Sequence, residues 1–411
     1  MVRNLIIIYI FLASATFFRL TYLPKNLMLL GSFATIILMA LGILMDVVYF
    51  RGKKFPMKFS TEVGLLFLAV LFGIFGAKWG HDQSFGLSIW VLTPLYYYLF
   101  YFFLHSIRVN PKDLERMIVL MGWTFLGLFF LQYMMYPTMI FGARAQEARG
   151  TIRIFIPGGA FAGYTYFLFL QKSFTSNNRI LLVFCLLYLV VPVLQGTRSS
   201  IVTILLTTVI FILFSRKVKS KPLVFLLMAS AAVLIFFLFK DIFMNLIEVS
   251  NEQASQDEDD VRIRAARFFL TDFVPTPLNY IIGNGESHMM SAYGMRIWYY
   301  KITYGFYQND LGLIGEYVKF GVVWVIGVFL IFRKLFALRV HFRYGFLKFW
   351  GLLLIFSELT GGVFSRPTVI VVITSVMYMY DVSYFELAHL RKEYLNKEEE
   401  TNNEEINLVA S

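Results

Sequence analysis

Between Leu5 and Tyr384 the chain repeats one pattern, stretches of about 18 or more mostly apolar residues, each long enough to cross a bilayer as a helix. Nothing else in the sequence constrains the fold as strongly. Inside lipid a backbone has no water to bond, so only helices and closed barrels span it. The alternating ten-residue segments of a barrel are absent, which leaves an all-α polytopic membrane protein. Composition agrees, with 58% of residues hydrophobic and 15% charged, where soluble domains run nearer half and a quarter. The predicted spans are 5–21, 27–50, 62–79, 86–107, 115–136, 158–172, 179–195, 199–215, 222–239, 311–333, 344–361 and 367–384, twelve in all.

The chain therefore divides into 1–239 with nine helices, a large polar loop over 240–310, three helices over 311–384, and a charged tail over 385–411. The loop is several times a typical connection. The tail, with Glu398-Glu399-Glu400, is expected to be a frayed helix ending in disorder. The first segment follows Arg3 and has small residues at Ser14 and Ala15, but no convincing A-x-A cleavage site follows and the next span begins almost at once, so it is expected to be retained as a helix.

Lysine and arginine accumulate in alternate short loops: Arg51, Lys53, Lys54 and Lys58; Arg108, Lys112 and Arg116; Lys172 and Arg179; Arg216 to Lys221; Arg333 to Arg343. The opposite loops carry fewer, chiefly Lys25, Lys78, Arg144, Arg149, Arg153, Arg198 and Arg366. The positive-inside bias then puts both termini in the cytoplasm and 240–310 outside. A formal charge of +11 so distributed reads as topology and contact with anionic membrane lipids, not nucleic acid. The single cysteine, Cys185, lies within an apolar run and reads as packing.

Signatures of soluble enzymes are missing: no G-x-x-x-x-G-K-[ST], H-E-x-x-H, C-x-x-C or G-x-S-x-G occurs. Asp257-Glu258-Asp259 matches D-x-D formally but sits in a run of like charge, as a solvated loop would. The informative residues are outer arginines that run against the charge bias. Arg198, within Gly196-Thr197-Arg198-Ser199-Ser200, can be read as an interfacial snorkelling residue. Its small hydroxyl neighbours also suit an anion. Arg144, Arg149 and Arg153 form a second group in the loop Pro137–Pro157, and Arg366, beside Gly361-Gly362, is a weaker third. In the large loop, 261–272 reads as a helix with Arg264 and Arg267 on one face. That helix would either lie on headgroups or help clamp phosphate oxygens with planar guanidinium forks. His288 is the outer histidine near these arginines, and the aromatic stretch from Tyr293 to Tyr307 suits an interfacial belt before sugar stacking.

Three motifs carry a resemblance. Gly196-Thr197-Arg198-Ser199-Ser200 opens a span, Ile282-Gly283-Asn284-Gly285 lies within the large loop, and Asn309-Asp310-Leu311-Gly312-Leu313-Ile314-Gly315 with Phe320-Gly321 leads into the tenth span. In that order and topology the chain resembles the bacterial O-antigen polymerases (Wzy type) and O-antigen ligases, polytopic GT-C-class glycosyltransferases. The resemblance implies a multi-pass protein of the bacterial inner membrane that moves glycans between undecaprenyl-pyrophosphate carriers at the periplasmic face. It implies no cofactor or metal, and a chain-length regulator protein as a further partner. Of the candidates, Arg198, Asp310 and His288 would be catalytic, while Arg153, Arg264 and Arg267 would hold pyrophosphate; Glu286 is another candidate base. Ligases place a histidine where this chain has Gln308-Asn309, and glutamine cannot act as a base, which favours the polymerase. The rival readings are the ligase, which passes glycan to lipid A-core, and a transporter or flippase, which would need intramembrane charges and broken helices.

Overall fold

The computed structural model describes residues 2–49, 57–142, 145–148, 151–176, 178, 180–215 and 261–410, with only 218, 221, 222, 226, 230, 233, 236, 237, 240, 244 and 245 between 216 and 260. The acidic run 252–260, Arg144, Arg149 and much of the basic loop at 51–54 lie outside the described residues.

Among the described residues, the α-helices before the large loop are α1 Val2–Ser14, α2 Lys25–Tyr49, α3 Ser60–His81, α4 Phe85–Val91, α5 Leu99–Ile107, α6 Pro111–Met134, α7 Gly159–Ser176, α8 Leu181–Leu194 and α9 Arg198–Phe214. The loop contributes α10 Val261–Thr271, α11 Asn279–Ile282 and α12 Ala292–Tyr304. Then follow α13 Leu313–Ala337, α14 Phe346–Gly361 and α15 Pro367–Ala410. The starts have chemical causes. Asn110 accepts from Lys112 N at 2.9 Å with Pro111 at the first helical position, and the Ser291 hydroxyl accepts from Gly294 N at 3.0 Å.

Eleven predicted spans coincide with a helix or helix pair, and 222–239 falls mostly outside the described residues. Among the described residues, five helices are long and apolar enough to cross a membrane, namely α2, α3, α6, α13 and the first part of α15, and the pair 85–91 and 93–107, bent by 54°, would make a sixth. α1, α8 and α9 are apolar but shorter. One expectation needs correction. The loop Pro137–Pro157 contains a hairpin, β1 Ala145–Ala148 against β2 Thr151–Ile154 with Gln146 opposite Arg153. The helix α15 runs on through the tail to Ala410.

α15 is the central stave, with 89% of its membrane-length window buried, whereas α2 stands at the periphery with 22%. A helix apolar all round belongs in such a core. Long-range contacts separate the two ends of the bundle. At one end Glu62 pairs with Lys334 at 2.5 Å, Glu115 with Lys172 at 2.9 Å and Arg343 at 3.2 Å, and Asp381 with His105 at 3.1 Å. At the other end Gln83 bonds Glu286 O at 2.9 Å, and Arg153 bonds Gln195 O at 3.0 Å. Alternate loops thus gather at opposite ends, as the charge bias requires.

The described part of the large loop builds a small aromatic core of its own. Phe269, Phe273 and Tyr293 pack with Ala77 of α3 and Val318 of α13. His81 stacks on Tyr293 at a centroid separation of 4.0 Å and contacts Phe273 at 5.1 Å, and those two rings are themselves 6.0 Å apart, so the three form one cluster. Beneath this core α13 is broken: Gly321 has φ 74° and ψ −172°. The turn Gly283-Asn284-Gly285 closes the break, since Asn284 N donates to Val318 O at 2.9 Å and Gly285 N to Lys319 O at 2.7 Å. Carbonyls freed by a helix break are costly in an apolar setting, and here the loop backbone satisfies them. Only glycine fits the junction: a Cβ on Gly283 would lie 2.3 Å from Lys319 O, and one on Gly285 2.4 Å from Gly73 O.

Candidate functional site

A cavity of about 880 Å³ opens at the end of the bundle that carries the large loop. Its walls come from α1, α2, α4, α6, α7, α8, α9, α14 and α15, with aromatic and aliphatic side chains such as Trp90, Phe125, Val191, Trp350 and Leu353. Polar groups join them: Arg19, Arg366, His288, Gln195, Thr197, Ser200 and Ser357. An adjoining cavity of about 540 Å³ shares Thr16, Arg19, Leu29 and Ser32 with the first, and adds Leu20, Leu23, Met28 and Met139 beside Lys25. Arg19 therefore stands in the wall between a mixed polar chamber and a mainly apolar one.

Arg19 reaches that wall through a backbone reversal. Thr16, Phe17, Phe18 and Arg19 all have positive φ, at 47°, 51°, 54° and 51°. Left-handed backbone costs an L-residue about 1–2 kcal/mol, and strain of this kind concentrates where a side chain must be aimed. The sequence reading passed over Arg19 because it falls inside the predicted span 5–21. It is the lone charge there, which was the available signal.

Arg366 is positioned by two buried carboxylates. Glu358 Oε2 accepts from Val363 N at 2.6 Å and Phe364 N at 3.1 Å, and Glu316 Oε1 accepts from Ser365 N at 3.0 Å. Glu316 is itself held by Trp324 Nε1 at 2.7 Å. Together they fold the turn after Gly362 (φ 51°), and Arg366 Nη2 bonds Gly361 O at 2.6 Å. Arg366 is exposed at the cavity mouth, and it is one of the residues that line the cavity. Desolvation draws its pKa below the usual arginine value, opposed by the carboxylates of Glu316, Glu358 and Asp310.

His288 is set by Gln83, a buried side chain whose Oε1 accepts from His288 N at 2.9 Å and from Ser291 Oγ at 2.8 Å. Met290 N donates to His288 Nδ1 at 3.2 Å. With Nδ1 accepting, the neutral ring carries its proton on Nε2, which makes it a donor.

Of the other predicted residues, Asp310 sits on the 3-10 turn Gln308–Leu311, exposed, and its charge reaches Arg366. Arg198 is half-buried as the first residue of α9; its neighbours Thr197 and Ser200 line the cavity, while Arg198 is not among the lining residues. Arg153 is also outside the lining and packs over Phe155 with its Nε on Gln195 O, tying β2 to the α8–α9 turn. Arg264 and Arg267 are exposed on α10, away from the cavity walls. Glu286 pairs with the buried Lys319 at 2.8 Å. Among the described residues no group of three or more His, Cys, Asp or Glu is arranged to hold a metal ion.

No protein-family model matches this chain, and no curated protein matches it.

Proposed function

We propose that the chain is a glycosyltransferase that polymerises undecaprenyl-pyrophosphate-linked oligosaccharide repeats into O-antigen or a related surface polysaccharide, at the periplasmic face of a bacterial inner membrane. One observation carries the reading: two arginines and a histidine stand over an apolar, aromatic-lined cavity that abuts a second apolar chamber. Such a site suits an amphiphile with an anionic head. The undecaprenyl chain would occupy the apolar chamber beside α2, and the pyrophosphate would face Arg19 and Arg366.

The acceptor hydroxyl oxygen attacks the anomeric carbon, the carbon–oxygen bond to pyrophosphate breaks, and the hydroxyl proton passes to a base. Pyrophosphate leaves readily, so the site's task is to stabilise its charge with preorganised donors. Asp310 is the candidate acceptor of the proton, and His288 with its proton on Nε2 is a candidate donor to a glycan or phosphate oxygen. Arg198 and Arg153 act next to the cavity, in shaping the turn at Gln195–Ser200, and Arg264 and Arg267 face the glycan outside.

A carrier reading is weakened by what its hallmarks are used for. The break in α13 is closed by the loop's own backbone. The buried charges at the cavity end are committed within the protein, Glu316 and Glu358 to the backbone of the turn before Arg366 and Lys319 to Glu286, and the buried ion pairs of Glu62, Glu115 and Asp381 lie at the opposite end.

The test is reconstitution in vesicles with a synthetic undecaprenyl-pyrophosphate oligosaccharide, followed by gel analysis. A ladder of lengthened glycans is expected, and Arg19→Ala and Arg366→Ala should each slow it about a hundredfold while eluting as folded protein. Transfer only to added lipid A-core would turn the assignment to ligase, and an unlengthened donor under both conditions would overturn it.

A further inference from the structure

The face of α12 that points away from the bundle is apolar. At 100° per residue, Met295, Trp298, Tyr299 and Ile302 fall within an arc of about 100°, and they are 64%, 49%, 52% and 62% exposed. The opposite face is fixed in the protein: Tyr293 is 1% exposed, stacks on His81 and bonds Gly285 O at 3.1 Å. A helix docked on a body surrounded by water should turn polar residues outward, and this one does not. Its cations, Arg296 and Lys301, lie on the two borders of the stripe and are exposed.

We propose that α12 lies in the plane of the membrane, with this stripe seated in the interfacial layer of the leaflet at the cavity end and Arg296 and Lys301 on lipid phosphates. The occupant is an anionic lipid surface. Continuity supports it: Trp79 and Trp90, also exposed, stand on α3 and α4 at the same end, so the stripe extends an aromatic belt of the kind that marks a membrane boundary. Flanking cations suit the same layer, because their stems reach headgroups while rings and methyls sink below. The seating would also set the depth of the site. His288 lies just before the Ser291 cap of α12 and lines the cavity, so the helix fixes where the cavity meets the lipid surface. None of this depends on the glycan chemistry proposed above.

Nitroxide labels decide the matter. In a Cys185→Ser background, single cysteines replace Met295, Trp298 or Ile302 on the stripe, and Arg296 or Lys301 on its borders, in full-length protein in phosphatidylglycerol-containing vesicles. Stripe labels should be more accessible to oxygen than to a water-soluble nickel chelate, at depths of about 5–10 Å below the phosphates, and border labels should show the reverse. Equal nickel accessibility at all five positions would place the face in water, as for a surface awaiting a protein partner, and would overturn the proposal. Protection that disappears as the protein is diluted in lipid would assign the face to a second copy and overturn it too. As an independent check, brominated lipid should quench wild-type fluorescence more than that of Trp298→Phe; equal quenching counts against the seating.

Discussion

Gly321→Ala tests whether the loop turn splices the broken helix. Gly321 has φ 74° and ψ −172°, a region that only glycine occupies freely, so alanine there is strained by about 1–3 kcal/mol. The new Cβ would lie 2.1 Å from Ile281 O and 2.7 Å from Gly283 N. Both are backbone atoms, so no side-chain rotation relieves the clash and the turn has to retreat. It would then lose the bonds from Asn284 N and Gly285 N to the carbonyls of Val318 and Lys319, each worth about 1 kcal/mol net. The total is roughly 3–5 kcal/mol. Gly64→Ala is the control, because a Cβ there meets nothing within 4 Å and alanine in a helix gains roughly 0.5–1 kcal/mol. Both proteins would be heated in detergent on one schedule, reading the monodisperse fraction, because unfolding of such a protein is irreversible. Gly321→Ala should lose its monodisperse fraction several degrees below wild type, and Gly64→Ala at or slightly above it. A Gly321→Ala protein that matches wild type to within about a degree would show that the break does not depend on the turn.

At the opposite end, Glu115→Ala should destabilise toward the lower part of the 3–5 kcal/mol seen when a buried pair is broken; its partners Lys172 and Arg343 are 42% and 33% exposed and can turn to water. Lys172→Ala should cost less than half as much in the same heating assay, since Arg343 still pairs with the carboxylate. Asn284→Ala removes side-chain bonds to Val318 O at 3.0 Å and His81 at 3.1 Å, and should cost about 2–3 kcal/mol by the same measure. Cysteines replacing the exposed Asp82 and Arg339 should react with a membrane-impermeant maleimide from opposite sides of sealed cells, Asp82→Cys from outside. Labelling of both from one side would refute the alternating topology.

The helices were legible because apolar length and loop charge are local properties of a sequence, and so was the gathering of alternate loops at opposite ends. The site was legible only in part. Charge bias singles out arginines that lie on the wrong side, and it found Arg366 and the neighbourhood of Arg198, but it says nothing of which side chains converge. Convergence here is set by residues far apart in the chain: Glu316 of α13 and Glu358 of α14 fold the turn that presents Arg366. In the sequence Glu358 reads as one of a few isolated charges within spans, the feature weighed for a carrier. Arg19 was hidden more completely, because the left-handed reversal at Thr16–Arg19 contains no glycine or asparagine to announce it. The same gap explains the glycine turn. Gly283-Asn284-Gly285 is recognisable as a turn, but its acceptors on α13 lie more than thirty positions away, and His81 about two hundred. A motif that looks like part of a reaction site can therefore owe its glycines to packing. That makes the stability of Gly321→Ala and the glycan transfer proposed for Arg366 separable measurements: the first reports on the scaffold, the second on the proposed anion site.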